Sequence, residues 1–364
     1  MAREQTVAVD GLTLGRQGAA AIGVLARHDR RNAVSGAMRQ ALAAWYPALA
    51  RDPGVYVVIL RSGLDATFSV GDDVREIVSL AEADPGAART ALAEELRLCW
   101  LTECFSKPTV SLIDGAVMGT GVGITLYGTH RIAGEGYRFQ MPETLIGYVP
   151  DCGVAHAFAH MPHGIGHYLG LTGAAIGRAD AFHLGLVTHC IARSEFEAIE
   201  QQLADADPVD PVLDGRHRDP GPAPILARGP RIERYFGAPT LADIFARLEA
   251  AAPSDRDWAA EILAVLRARS PLALALTDQA IRRAASLDIR ATLIQDYRLA
   301  YHLATHADFR EGVRAALIDK DRAPKWAHAQ IADVSAAEVA KFFTALGEAE
   351  LDLPSRSEMQ AARV

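Results

Sequence analysis

The run Val55-Tyr56-Val57-Val58-Ile59-Leu60 carries no charged residue and no alternation of apolar with polar positions. A strand built from it must be buried on both faces, as happens inside a parallel sheet covered by helices. Thr109–Ile113 (TVSLI) reads the same way, and Ala20–Ala26 is a third, shorter apolar segment. Helical patterns lie between them: Ser35–Leu49, with Ser35 as N-cap, and Ala87–Phe105, which stops before Lys107-Pro108. This strand–helix–strand alternation predicts an α/β core over residues 1–204. Prolines at 208, 211, 220, 222, 224 and 230 then predict an extended connection or mobile flap over residues 205–230. Residues 231–364 read as helical, with Leu241–Ala251, Trp258–Arg269, Leu272–Ser286 and Ile289–His306 as the main segments and Ser270-Pro271 opening the third.

Composition narrows the function. Half of the 364 residues are hydrophobic and 23% are charged, which fits a folded globular chain. The net charge of −8 comes without a basic stripe, which argues against nucleic acid as the main partner. No apolar run approaches the ~18 residues that span a bilayer, and the start lacks an apolar leader, so a cytoplasmic protein is expected. The spacing of Cys99, Cys104, Cys152 and Cys190 matches neither a zinc nor a disulfide pattern and suits a reducing compartment. His156, His160, His163 and His167 recur at intervals that can suit a metal, but Pro162 and Gly164 interrupt the helix and no carboxylate or cysteine joins them. They read as surface or packed histidines, and no metal is expected.

Three segments can carry chemistry. Asp114-Gly115-Ala116-Val117-Met118-Gly119-Thr120-Gly121-Val122-Gly123 follows a buried-type strand and precedes an apolar stretch. Small residues at a strand-to-helix turn let a ligand reach bare backbone N–H groups, so the turn can hold a phosphate or an acyl oxyanion; tight helix–strand packing explains the same glycines. Phe68-Ser69-Val70-Gly71-Asp72-Asp73 also follows a strand, and alone reads equally as a solvated turn. In Phe139-Gln140-Met141-Pro142-Glu143-Thr144-Leu145-Ile146-Gly147-Tyr148-Val149-Pro150-Asp151, two carboxylates lie eight residues apart among apolar neighbours, which raise a carboxyl pKa towards the range useful for proton transfer. Helix capping is the competing reading of Glu143 and Asp151.

Taken together, in this order, the three segments resemble the crotonase (enoyl-CoA hydratase/isomerase) superfamily. The MPETLIGYVPD segment, Arg30-Arg31-Asn32-Ala33, and the long run from Asp308-Phe309-Arg310-Glu311-Gly312 to Lys320 and on to Pro324-Lys325-Trp326 resemble its 3-hydroxyisobutyryl-CoA hydrolase branch. The resemblance spans roughly residues 10–350. It implies a spiral of ββα units with helical C-terminal packing and an acyl-coenzyme A thioester as ligand, with no metal or separate cofactor. It also implies an oxyanion hole from the backbone N–H groups of Asp72 and Thr120, with Gly71, Gly119 and Gly121 against the substrate. Relatives usually carry Gly or Ala at the first position and Gly at the second, so the Asp72 carboxylate is expected to bring negative charge near the developing oxyanion. Asn32, Ala33 and Lys320 are candidate coenzyme A contacts by the same resemblance.

By resemblance Glu143 and Asp151 match the two carboxylates of the family's hydrolases. Hydratases need a further glutamate where this chain has Gly123. The expected reaction is hydrolysis of a short-chain 3-hydroxyacyl-CoA, 3-hydroxyisobutyryl-CoA first, in which Glu143 acts as base or nucleophile at the carbonyl carbon and Asp151 binds the 3-hydroxyl or positions the water. Hydration or double-bond isomerisation, and non-catalytic acyl-CoA binding, are the alternatives. Crotonase-type cores often assemble as trimers, which keeps a homo-oligomer among the expectations.

Overall fold

The computed structural model describes residues 6–364. In chain order its strands are β1 (Val7–Val9), β2 (Leu12–Gln17), β3 (Ala20–Leu25), β4 (Val57–Ser62), β5 (Thr67–Ser69), β6 (Thr109–Ile113), β7 (Ala116–Met118), β8 (His130–Ala133), β9 (Arg138–Gln140), β10 (Ile176–Gly177) and β11 (His189–Cys190). The helices that matter for the site are α1 (Gly36–Arg51), α2 (Val74–Ala83), α3 (Pro85–Cys104), α4 (Thr120–Leu126) and α5 (Val154–Ala159).

A seven-stranded sheet has the order β1-β2-β3-β4-β6-β8-β11, antiparallel from β1 to β3 and parallel beyond. A four-stranded sheet has the order β10-β9-β7-β5, in which β5, β7 and β9 run parallel. Each of the pairs β4–β5, β6–β7 and β8–β9 gives its first strand to the large sheet and its second to the small one before a helix follows. This is the spiral of ββα units. Its consequence is positional: the turns leaving β5, β7 and β9 emerge side by side.

The both-face burial expected of β4 is met literally. Val58 and Leu60 enter the larger apolar core, and Val57 and Ile59 the smaller. Each such side chain contributes roughly 1.5–3 kcal/mol on removal from water. Helix α1 starts where Ser35 Oγ accepts from the Met38 N–H at 3.4 Å. In the C-terminal part, Leu241–Glu249, Arg256–Arg267, Pro271–Ala284 and Ile289–Leu303 are helices, and Ser270 Oγ caps the third by accepting from Ala273 N–H at 3.1 Å. Leu272, Leu274, Leu293 and Leu299 lie in the same core as Val58 and Leu60, so the helical part shares the core of residues 1–204.

Residues 205–230 differ from expectation. They are neither extended throughout nor a flap: Val209–Asp214 and Pro224–Ala227 are short helices. Val209, Val212 and Leu213 complete the smaller core against Ile59 and Leu203. His130 Nε2 meets Asp210 Oδ1 at 2.8 Å and His189 Nε2 meets Asp214 Oδ1 at 3.1 Å, pinning the connection to β8 and β11. Prolines limit regular structure, but apolar residues at helical spacing between them still find a core. Leu213→Ala is therefore expected to lower the urea-unfolding free energy by about 2–5 kcal/mol, whereas a flap residue would change it by less than about 0.5 kcal/mol.

Candidate active site

Two glycine turns meet back to back. Gly71 ends the turn after β5 with φ +99°, and Gly119 ends β7 with φ +47°. Both values lie where a side chain is strained. A Cβ at Gly119 would come within 3.2 Å of Gly71 Cα, and one at Gly71 within 3.3 Å of Gly119 Cα. That Gly119 position is also 3.4 Å from Glu143 Oε1 and 4.0 Å from Asp72 N. The N–H of Asp72 and the first N–H of α4, that of Thr120, have no hydrogen-bond acceptor among the described residues. Their neighbours do: Asp73 N–H donates to Val34 O at 3.0 Å, and Val122 N–H to Gly119 O at 2.8 Å. Two backbone donors are thus left over a cavity of about 720 Å³, which Asp72, Thr120, Glu143 and Asp151 all line.

Glu143 opens a one-turn 3-10 helix, Glu143–Ile146, which closes as Tyr148 N–H donates to Glu143 O at 3.0 Å. Gly147 follows at φ +69°, and a Cβ there would lie 2.4 Å from Asp308 O; one at Gly312 would lie 2.3 Å from Ile146 C. The C-terminal run found in the sequence therefore buttresses the turn that carries Glu143. Asp308 is itself held by Ser270 Oγ at 2.6 Å and Ala327 N–H at 2.8 Å. Asp151 precedes α5. Its loop is fixed where Asp296 Oδ2 accepts from Gly153 N–H at 2.6 Å and Tyr127 OH donates to Cys152 O at 2.7 Å.

Some expectations need correction. Gly121 does not face the cavity: a Cβ there would lie 2.7 Å from Ser69 Cβ, so this glycine serves packing of α4 on β5. Asn32 is fully buried and ties the loop together, its amide donating to Leu25 O, Ser62 Oγ and Phe68 O. Ala33 lines the cavity and Lys320 does not. The Asp72 carboxylate, on a residue that lines the cavity, ion-pairs with the buried Arg39 of α1. The four histidines have different neighbours: His156 meets Leu287 O, His160 meets His156 O and His163 meets Glu233, while His167 lies 3.6 Å from Asp278 without a hydrogen bond.

The sequence reading missed Glu95. It sits on α3, 3% exposed, and its Oε1 accepts from Thr120 Oγ1 at 2.5 Å and Cys152 Sγ at 3.2 Å. A signal was present: Ala88, Ala91, Leu92, Leu96 and Cys99 form the buried stripe of α3, and Glu95 interrupts it. Arg39 likewise interrupts the buried stripe Met38, Leu42, Tyr46 and Leu49. Oxygen and sulfur atoms of Glu95, Asp151 and Cys152 lie within 4.8 Å of one another. The thiol already donates to Glu95, and Asp151 lies beside this pair with no hydrogen bond to either among the described residues.

Burial dominates the electrostatics. It pushes the Glu143 carboxyl up to about 8, with Glu95 adding to the effect. Burial, then Glu95, then Glu143 hold the Asp151 carboxyl well above its ordinary range. Asp296 is pushed up to about 8 by burial and Glu95, against the bond from Gly153. Asp72 is raised by burial and Glu95 and opposed by Arg39. A site holding so many acids keeps protons on some of them at neutral pH. At position 123 a Cβ would meet Cys152 Sγ at 2.7 Å and Cys99 Sγ at 3.0 Å, which leaves no room for a carboxylate side chain.

The model of the family described as Enoyl-CoA hydratase/isomerase matches residues 20–343. The chain belongs to this family, the crotonase superfamily. It is 32% identical over 350 residues to 3-hydroxyisobutyryl-CoA hydrolase 1 of Arabidopsis thaliana, covering 93% of this chain and 92% of that protein. It is also 32% identical over 350 residues to the mitochondrial 3-hydroxyisobutyryl-CoA hydrolase of Gallus gallus, covering 93% and 90%. Among solved structures, a carnitinyl-CoA dehydratase from Mycobacterium thermoresistibile superposes with a TM-score of 0.88 at 31% identity, over 94% of this chain and 99% of that one. An enoyl-CoA hydratase from Rhodobacter sphaeroides 2.4.1 gives 0.87 at 36% identity, over 94% and 100%. No helix among the described residues is long and apolar enough to cross a membrane.

The raised Glu143 carboxyl has a cost in stability. Its folded value of about 8 exceeds the ordinary 4.5, so its contribution to folding is fully present below pH 4.5 and is lost as pH rises through about 8. Glu143→Gln should therefore unfold at a higher urea concentration than wild type near pH 8, by on the order of 4 kcal/mol, and the two curves should converge towards about pH 4.

Proposed function

We propose that the protein hydrolyses the thioester of a short-chain 3-hydroxyacyl-CoA, most specifically 3-hydroxyisobutyryl-CoA, to the free acid and coenzyme A. The observation that carries the reading is Glu143 Oε1 lying against the gap between two unsatisfied N–H groups, with position 123 filled by cysteine sulfur. An acid beside an oxyanion hole suits attack at a carbonyl carbon. Addition of water across a double bond calls for an acid–base pair spanning the α and β carbons, and the resemblance puts the second member at position 123. The names of the curated relatives support hydrolysis; the names of the two solved structures support hydration as the second reading.

In the proposed reaction the thioester oxygen accepts from the N–H groups of Asp72 and Thr120, held by the Gly71 and Gly119 turns. One such donor is worth ~10²–10³ in rate. Glu143, ionised, takes a proton from water as the water oxygen bonds to the carbonyl carbon; collapse of the tetrahedral intermediate breaks the carbon–sulfur bond, and Glu143 returns the proton to sulfur. Direct attack by Glu143 through a short-lived anhydride uses the same geometry. Asp151 accepts from the 3-hydroxyl of the acyl group or holds the water. The scheme needs no redox cofactor or metal, coenzyme A being part of the substrate. The proposed setting is a reducing compartment such as the cytoplasm; relatives named mitochondrial leave a second compartment in play.

Release of free thiol from 3-hydroxyisobutyryl-CoA, with crotonyl-CoA hydration as control, tests the reading. Wild type should release thiol and leave crotonyl-CoA unhydrated, and Glu143→Gln should lose ~10²–10⁴ in kcat. Hydration without thiol release would select the second reading. Because the base must be ionised, kcat/KM should rise with pH through about 8 and then level, the apparent value belonging to the Glu143–Asp151 pair.

A further inference from the structure

The two residues whose N–H groups are left over at the cavity both carry side chains that already have a buried partner: Glu95, itself on the cavity wall, and Arg39. Thr120 Oγ1 donates to Glu95 at 2.5 Å, and the Asp72 carboxylate pairs with Arg39. Arg39 is 1% exposed, the bulkiest fully buried side chain of α1, and it lies outside the cavity wall. Its Nη1 serves Asp72, while Nε and Nη2 find no partner among the described residues. Glu95 of α3 and Glu76 of α2 are the other acids acting on it. A guanidinium buried with donors unsatisfied is a poor choice for stability alone, since an apolar side chain of similar volume often serves a core as well or better. The residue that Arg39 holds is the one whose own charge would oppose the proposed chemistry.

We propose that Arg39 is a positioning residue for the oxyanion hole: its ion pair with Asp72 aims the residue-72 N–H at the acyl oxygen and cancels the field of the Asp72 carboxylate there. The proposal deepens the thioester reading and rests on it for its kinetic arm. The pairing acts in two ways. A carboxylate a few ångströms from a developing oxyanion disfavours it in a low-dielectric site, and a paired carboxylate does so far less. A side chain anchored on a buried guanidinium also restrains the backbone of its own residue, and oxyanion donors act only when correctly aimed. The bridge of Asp72 to Val34, in which Val34 N–H donates to Gly71 O at 2.8 Å, holds the same turn from its other side.

Steady-state kinetics on 3-hydroxyisobutyryl-CoA and the infrared carbonyl stretch of a bound acyl-CoA, labelled with carbon-13 at the carbonyl, test it together. Arg39→Met should lower kcat about 30-fold with KM changed less than about threefold, and should remove more than half of the downshift of the carbonyl band seen with wild type. Adding Asp72→Ala to Arg39→Met removes the orphaned carboxylate and should recover about tenfold of that loss, an effect that a merely structural role would not produce. Arg39→Lys keeps the charge but not the planar guanidinium that places Nη1 on Asp72, and should fall about three- to tenfold. An unchanged kcat and carbonyl shift in Arg39→Met, or no recovery in the double variant, overturns the proposal. Should Arg39→Met fail to fold, Arg39→Lys carries the test, and wild-type kcat and band position for it overturn the proposal. If wild type releases no thiol, the hydrolase reading falls, and the carbonyl band of bound crotonyl-CoA still decides the role of Arg39.

Discussion

Parallel pairing of β5, β7 and β9 determines where three turns leave the small sheet. Thr67 pairs with Ala116 and Ala116 with Arg138, so the strand ends lie in adjacent rows. From that register follow the contact of Gly71 with Gly119, the exposure of two N–H groups to one cavity, and the arrival of Glu143 beside them. The large sheet and its two cores supply the rigidity. Main-chain donors anchored at strand ends hold their direction without reorganising when charge develops.

A site assembled this way collects acids. Glu95, Glu143, Asp151 and Asp296 are buried around or near the cavity, and Asp72 is partly buried on its wall. Packing alone would not select such a group, because each buried carboxyl without a cation or a proton is costly. The chain manages the charge by distributing protons among the acids and by giving Asp72 its own guanidinium. Thr120 and Cys152 satisfy Glu95 with hydroxyl and thiol hydrogens, so Glu95 is held in place without a formal counter-charge.

Much of this was legible in the sequence. Apolar runs such as VYVVIL and TVSLI identified strands buried on both faces, because burial leaves its mark in the residues of the strand itself. Asp72, Thr120, Glu143 and Asp151 were recognisable because each lies in a local motif, and the structure brings all four to one cavity. Gly121 lay in the same motif and was misassigned: a glycine that serves packing against Ser69 looks identical, in one dimension, to a glycine that serves a ligand. Glu95 and Arg39 escaped because they lie in the middle of helices, far from any motif. Their only trace is a charged side chain within an apolar stripe. Residues 205–230 were misread because proline density hid the apolar spacing of Val209, Val212 and Leu213.

The interlock of Gly147 with Asp308, and of Gly312 with Ile146, ties segments more than 150 residues apart in the chain. Neither surface tolerates an added methyl group without backbone displacement. The segment Asp308–Gly312 is thus a moulded cast of the loop that carries Glu143, and the two halves of the mould must be inherited together. A hybrid assembled from two divergent parents by a crossover between residues 147 and 308 would join surfaces shaped against different counterparts. Recombination in this lineage is therefore constrained at a point where the later segment, viewed alone, shows no chemistry to protect.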